Sequence, residues 1–192
     1  MKNILFIVSA VLFLGGCSVF GKSDVKIAPY DVLEKNEQFE VRHYKSLILV
    51  TTPMINLNEK KNPFYKLFNY ISGGNDQKKQ ISMTAPVFMD KKDDMTETMS
   101  FVMPNDFSIK TTPVPIDKAI NIEEINDYTV ATIKFSGRLS QENIAEHQKI
   151  LDNWIAAKKY KVIGQPKTAG YNPPFTIPAL RRNEILVPIE KP

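Results

Sequence analysis

The 192 residues hold a single cysteine, Cys17, and a formal charge of only +4. One thiol excludes disulfide staples, thiol catalysis and cysteine-based metal sites, so burial must hold the fold together. The basic pairs Lys60-Lys61, Lys78-Lys79 and Lys158-Lys159 are scattered rather than blocked. They read as solvated surface or as contacts with an anionic membrane surface, and nucleic acid is not expected as a partner.

In chain order, Lys2 precedes an apolar run from Ile4 to Leu14, followed by Leu14-Gly15-Gly16-Cys17. A basic start, a short apolar stretch and small residues before a cleavage point form a secretory signal. The run is too short to span a bilayer, which needs about 20 residues. A site ending in cysteine has the pattern of a bacterial lipobox, so Met1 to Gly16 are expected to be removed and Cys17 to be lipidated. Ser18, not Asp, follows the cysteine. In a host with two membranes this directs the protein to the outer membrane, facing the periplasm. Residues 17 to 28 then serve as lipidated N-terminus and tether, and residues 29 to 192 form one domain, large enough for a real core.

Tyr30 to Glu34 and Phe39 to Tyr44 read as strand, turn and strand, with Leu47 to Thr52 extending the second. Asn62-Pro63 opens a helix as cap and first helical residue. Phe64, Leu67, Phe68 and Ile71 form its apolar stripe, and Gly73-Gly74 ends it. Ile81 to Met89 and Thr98 to Met103 are two further strands. The second half repeats the order. Asn121 to Ile125 and Tyr128 to Phe135 are strands; Ser140 caps a long helix with Glu142 in its first turn. Ile144, Leu151, Trp154 and Ile155 are its buried stripe. Val162 to Thr168 and Asn183 to Ile189 close the series. The expected fold is α+β: two pseudo-symmetric ββαββ units, joined through Pro104 to Pro115, that share one distorted antiparallel β-barrel flanked by two helices.

Three segments carry a family resemblance. The first is Tyr70-Ile71-Ser72-Gly73-Gly74-Asn75 with Gln80-Ile81-Ser82-Met83-Thr84-Ala85-Pro86-Val87. The second is Pro173-Pro174-Phe175 with Pro178-Ala179-Leu180-Arg181-Arg182-Asn183-Glu184-Ile185. The third is Phe39 to Tyr44, which resembles an opening strand. Taken along the chain they occur in the order of, and resemble, the SOUL heme-binding protein family, over about Ala28 to Pro192. The resemblance implies the barrel just described and non-covalent binding of heme or a related tetrapyrrole.

Heme requires a flat apolar slot, cations for its propionates and often an axial histidine, methionine or tyrosine. His43, on the face of Phe39 and Val41, and His147, on the flank of the second helix, are candidate ligands or structural histidines. Met83 is the candidate thioether, in a chain enriched in methionine at Met83, Met89, Met95, Met99 and Met103. Flexible thioethers suit an adaptable ligand surface, and they also fill cores. Arg181, Arg182 and Arg42 match carboxylates, either propionates or the internal partners Glu184 and Glu40. Phe175, in Tyr171-Asn172-Pro173-Pro174-Phe175, stands beside those arginines as the lip of a groove or a cover over the barrel end.

The sequence contains no nucleophile elbow, glycine-rich phosphate loop or metal-ligand histidine spacing. Asp93-Asp94 and Glu123-Glu124 lie in polar stretches. A binding protein is expected rather than an enzyme. The rival readings are a module for another lipophilic small molecule, a small envelope hydrolase using Glu or Tyr, and an envelope protein that binds a protein partner.

Overall fold

The structure is a computed structural model that describes residues 25–54, 62–91 and 97–191. The signal segment, Cys17, most of the tether, Lys60-Lys61, Asp93-Asp94 and Met95 lie outside the described residues. The strands are β1 (Lys26–Ile27), β2 (Asp31–Asn36), β3 (Phe39–Pro53), β4 (Thr84–Ala85), β5 (Val87–Lys91), β6 (Glu97–Val102), β7 (Asn121–Phe135), β8 (Lys161–Val162), β9 (Lys167–Gly170) and β10 (Asn183–Glu190). The helices are α1 (Pro63–Ile71) and α2 (Gln141–Ala157).

Six strands close a barrel in the order β3-β6-β5-β9-β10-β7, with β7 returning to β3. The pairs are antiparallel. β2 lies along the other edge of β3, and β8 pairs with the end of β10. The duplication is visible as β3-α1-β5-β6 and β7-α2-β9-β10. Their first strands pair with each other, from Phe39↔Ile133 to Thr51↔Asn121.

The second unit departs from the expected pair of strands. Asn121 to Phe135 is one strand, because the long partner β3 pairs along its whole length. The polar Asn126-Asp127 step that suggested a break is a local irregularity within the ladder, with Asp127 at φ 51°. Asp tolerates this left-handed conformation better than most residues. It shifts the alternation by one, so that Val130, Tyr128 and then Ile125 all join the interior cluster. β3 shifts at the matching level, where Tyr44 and then Leu47 and Leu49 join the same cluster.

Three cores result. Tyr44, Leu49, Phe88, Val102, Val130 and Leu186 fill the barrel. Leu151 and Ile155 of α2 seat on Val41, Ile133, Ile185 and Val187. Leu67, Tyr70 and Ile71 of α1 seat on Ile48, Val50 and Phe101. Both caps form as the sequence indicates: Phe64 N donates to Asn62 Oδ1 at 2.9 Å, and Asn143 N donates to Ser140 Oγ at 3.3 Å. The stripe of α1 is rotated from expectation. Phe64 and Phe68 are 40% and 48% exposed, and Tyr70 is buried in their place. The fold also takes up the chain earlier than Ala28, since Lys26 and Ile27 pair in parallel with Thr84 and Ala85 as a separate two-stranded sheet.

Candidate ligand-binding surface

One end of the barrel interior is closed by charge. Arg42 donates from Nη1 to Glu184 Oε2 at 2.5 Å and from Nη2 to Glu184 Oε1 at 3.0 Å, a bidentate pair with both side chains buried. Arg182 Nε donates to Glu184 Oε1 at 2.9 Å, and the Tyr171 hydroxyl donates to Glu184 Oε2 at 2.8 Å. Arg42 also donates to Glu40 at 2.7 Å, and Lys35 pairs with Glu40 from outside. The rings of Tyr30 and Tyr171 lie under the two guanidinium groups, 4.3 Å and 3.9 Å from the centroids. Burial pushes the Glu184 carboxyl up, but the Arg42 hydrogen bonds and the charges of Arg42 and Arg182 outweigh it and hold the group below its ordinary range. Burial and the Glu184 charge push the Tyr171 phenol well above its usual value. A carboxylate held ionised, fully enclosed and matched by two guanidinium groups is a structural counter-ion, not an acid or base open to substrate.

The outer surface offers more. α1 covers β3 and β6, and α2 covers β7 and β10. In the strand order above, β5 and β9 therefore lie between the two helices, with Leu139 resting over Gly170 of β9. Val87 and Met89 of β5 face outward there, paired with Gly170 and Thr168 of β9. Met83, Val87 and Met99 extend the apolar floor towards α1. On α1, Tyr70 reaches Pro113 O with its hydroxyl, which fixes that flank towards the 107–120 segment leading into β7. Phe64 and Phe68 lie on the other side of the buried face of α1 from Tyr70, over β6. Their rings are stacked at 6.2 Å and 11°, and Phe64 meets Phe101 edge-on at 5.2 Å. From β9 the chain runs on into the 171–182 loop, whose Phe175 is 64% exposed, with Ile177 and Leu180 also exposed. Arg181 braces this loop through Thr176 O at 2.8 Å and through Pro174 O. Its partners are carbonyl oxygens, so its charge remains available at the rim.

These groups, together termed the trough, are of the kinds a flat macrocycle contacts: aliphatic and thioether side chains, exposed aromatic rings on α1 and a cation on the 171–182 loop. It does not assemble an axial pair from the two histidines. His43 lies on the outer row of β3, with Nδ1 3.1 Å from Thr129 Oγ1 and Nε2 3.9 Å from Asp127. His147 stacks on Phe135 at 4.4 Å, and its Nδ1 is 2.9 Å from Asn143 O. Thr129 and Phe135 are separated by six strand residues, roughly 20 Å, so one iron cannot take both histidines.

The other sequence candidates divide. Met83 packs with the α1 cluster, beside the trough. Phe175 and Arg181 stand together on the 171–182 loop. Arg182 belongs to the Glu184 cluster, as does Arg42. Sequence reasoning missed the exposed Phe64–Phe68 pair, because helical spacing alone assigned both rings to the core. The available signal was Tyr70, which shares the helical face of Leu67 and Ile71. A further depression of about 640 Å³ lies where β7 and β10 part, lined by Leu33, Tyr128, Ile163 and Pro188 among others. Asp127, Glu190 and Lys191 also line it, so it carries charge of both signs.

The SOUL heme-binding protein family matches residues 25–188. Heme-binding protein 2 of Mus musculus is 30% identical over 169 residues, spanning 82% of this chain and 81% of that protein. Heme-binding protein 2 of Homo sapiens is 29% identical over 175 residues, 85% and 83% of the two chains. Among solved structures, the C-terminal domain of EcmrR superposes with a TM-score of 0.58 at 17% identity, covering 81% of this chain and 98% of that one. A hydrolase from Listeria innocua gives 0.58 at 8% identity, covering 82% and 94%. At such identities these two likenesses concern the fold alone.

Proposed function

Because the chain belongs to the SOUL heme-binding protein family, we propose that it binds heme or a related tetrapyrrole non-covalently, as a lipid-anchored protein of the bacterial cell envelope. Its role is sequestration, carriage or buffering of the tetrapyrrole, not turnover. The observation that carries this reading is the stacked, exposed Phe64–Phe68 pair on α1. Exposed aromatic rings cost solvation unless a partner covers them, and a porphyrin face is a partner of matching shape. Phe64, Phe68, Val87, Met89 and Phe175 would hold the macrocycle, Arg181 would meet a propionate, and Met83 is the thioether at the edge. Heme supplies redox-active iron when bound; the residues of this chain orient it and exclude water from one face.

The test is an absorbance titration with hemin. Saturable one-to-one binding is expected, unchanged in His43→Ala and His147→Ala. The Phe64→Ala/Phe68→Ala double variant should bind at least about tenfold more weakly, roughly 1.4 kcal/mol for two aromatic contacts. Non-saturating drift in the parent chain would refute tetrapyrrole binding. Loss of binding in a histidine variant would move the site away from the trough.

Support for the anchor is the Met1 to Cys17 pattern. Mass analysis of the N-terminal peptide from cells should find Cys17 lipid-modified and Met1 to Gly16 absent, with the protein in the outer-membrane fraction. An unmodified, soluble chain would refute it.

A further inference from the structure

The proposed anchor leaves a physical question: which face of the domain meets the lipid. The described chain begins at Val25, and the parallel ladder Lys26↔Thr84, Ile27↔Ala85 sets Val25 alongside Met83. Upstream of Met83, Ile81 N donates to Ile71 O at 2.8 Å, and Ser72 bridges Gln80. The chain therefore enters the fold against the barrel-interior cluster, on which Val25 packs, and next to the end of the 72–83 segment, whose Ile81 is tied to the end of α1. Cys17 lies eight residues before Val25, a reach of at most about 28 Å. The surfaces around this point are therefore within reach of the bilayer.

That region presents an exposed apolar strip on a braced support. Val114 is 59% exposed and Ile116 is 67% exposed. Two residues apart, they share one side of an extended segment. Asp76 N donates to Val114 O at 2.9 Å, Val114 N to Asp76 Oδ1 at 2.7 Å, and Ile116 N to Gly74 O at 3.2 Å. Asn75, fully buried, bridges Pro115 and clamps the turn beneath through Tyr70 O, Lys79 O and Lys79 N. Two aliphatic side chains are thus held outward by a rigid platform. Lys78, Lys79, Lys110 and Lys118 flank the strip, with Lys79 resting over the Phe107 ring at 4.6 Å. The acidic residues of the same stretch are Asp76, Asp106 and Asp117, of which Asp76 and Asp117 accept from main-chain N–H groups at 2.7 and 2.9 Å. Short aliphatic wedges rimmed by lysines match a phospholipid surface with anionic headgroups, where the side chains enter the interface and the ammonium groups stay with the phosphates.

We propose that the 113–116 strip, with its flanking lysines, is a membrane-docking face that seats the domain on the bilayer carrying its lipid anchor. It rests on the anchored reading above and adds an orientation. With this face down, the α1 flank bearing Phe64 and Phe68, turned away from the 107–120 segment, stays open to the aqueous side.

The test uses the full lipidated chain in vesicles of phosphatidylethanolamine and phosphatidylglycerol with brominated acyl chains. Ile116→Trp is compared with Ile150→Trp on the exposed face of α2. Quenching is read as the increment over the parent chain, whose single tryptophan, Trp154, is stacked on Phe39. At least twofold stronger quenching at position 116 is expected, reduced when Lys78→Glu and Lys118→Glu are added. Equal quenching at both positions, in protein that floats with the vesicles, overturns the docking face and leaves the anchor standing. Failure to float overturns the anchor and the docking face with it. A concentration-dependent blue shift of Ile116→Trp without lipid means that a second copy covers the strip, and also overturns the proposal.

Discussion

Replacing Glu184 by Gln preserves shape and removes one charge from the centre of the barrel-end cluster. Arg42 would then keep only Glu40, and Arg182 would lose its carboxylate, in a cluster where the Arg42 side chain is 3% and the Glu184 side chain 0% exposed. Removing one partner of a buried pair costs about 3–5 kcal/mol, because the remaining charge stays desolvated. For a domain of this size 1 kcal/mol moves Tm by about 2–4 °C, so a fall of roughly 6–20 °C is expected. The half-exposed pair of Lys158 with Glu34 is the control; Glu34→Gln should cost less than about 1 kcal/mol. The acid limb adds a second readout. The folded-state carboxyl of Glu184 lies below its ordinary value of 4.5. Its contribution is thus complete above that value and is lost as pH falls through the folded one. The stability difference between parent and Glu184→Gln should therefore be largest near pH 7 and shrink below about pH 4.5. Urea unfolding at both pH values, followed by Trp154 fluorescence, measures it. A cost below about 1 kcal/mol at pH 7, or a difference that does not shrink in acid, would refute the reasoning.

Asn75→Ala should cost about 2–3 kcal/mol in urea unfolding at unchanged m-value, because Tyr70 O, Lys79 O and Lys79 N all lose a buried partner. Asn75→Asp should not rescue it, since a carboxylate cannot donate to two carbonyls. Leu151→Ala, at the fully buried centre of the α2 seat, should cost about 2–5 kcal/mol. Hemin affinity should be unchanged at temperatures where the variant remains folded, because α2 covers β7 and β10 and not the trough.

Much of the fold was legible because local chemistry decides it. The Asn62 and Ser140 caps, Pro63 at the first helical position, and the apolar spacing of Leu151 and Ile155 have the same meaning in any context. Phe39 to Thr52 alternates strongly enough to be read as extended before its partners are known. The duplicated order required nothing more than these signals in series. The arginine alternatives were also legible as pairs: Glu40 and Glu184 were named beside Arg42 and Arg182, and both carboxylates are the partners found.

Only tertiary structure decided which side of each element the core takes. Phe64 and Phe68 have helical spacing fit for burial, but α1 rests on Leu67, Tyr70 and Ile71 because Tyr70 must reach Pro113 O. Asn126-Asp127 carries the composition of a turn, but the length of β3 holds Asn121 to Phe135 in one ladder. The two histidines share a residue type and lie on separate parts of the fold, since strand register, not spacing, sets their distance. The 113–116 strip shows the same division: nothing local to Val114 and Ile116 marks them as outward, and their presentation comes from a turn about forty residues earlier in the chain. Caps, turns and periodicity depend on neighbours within a few residues. The trough, the charge cluster and the exposed strip depend on closure of the barrel, which brings together groups that the chain itself holds far apart.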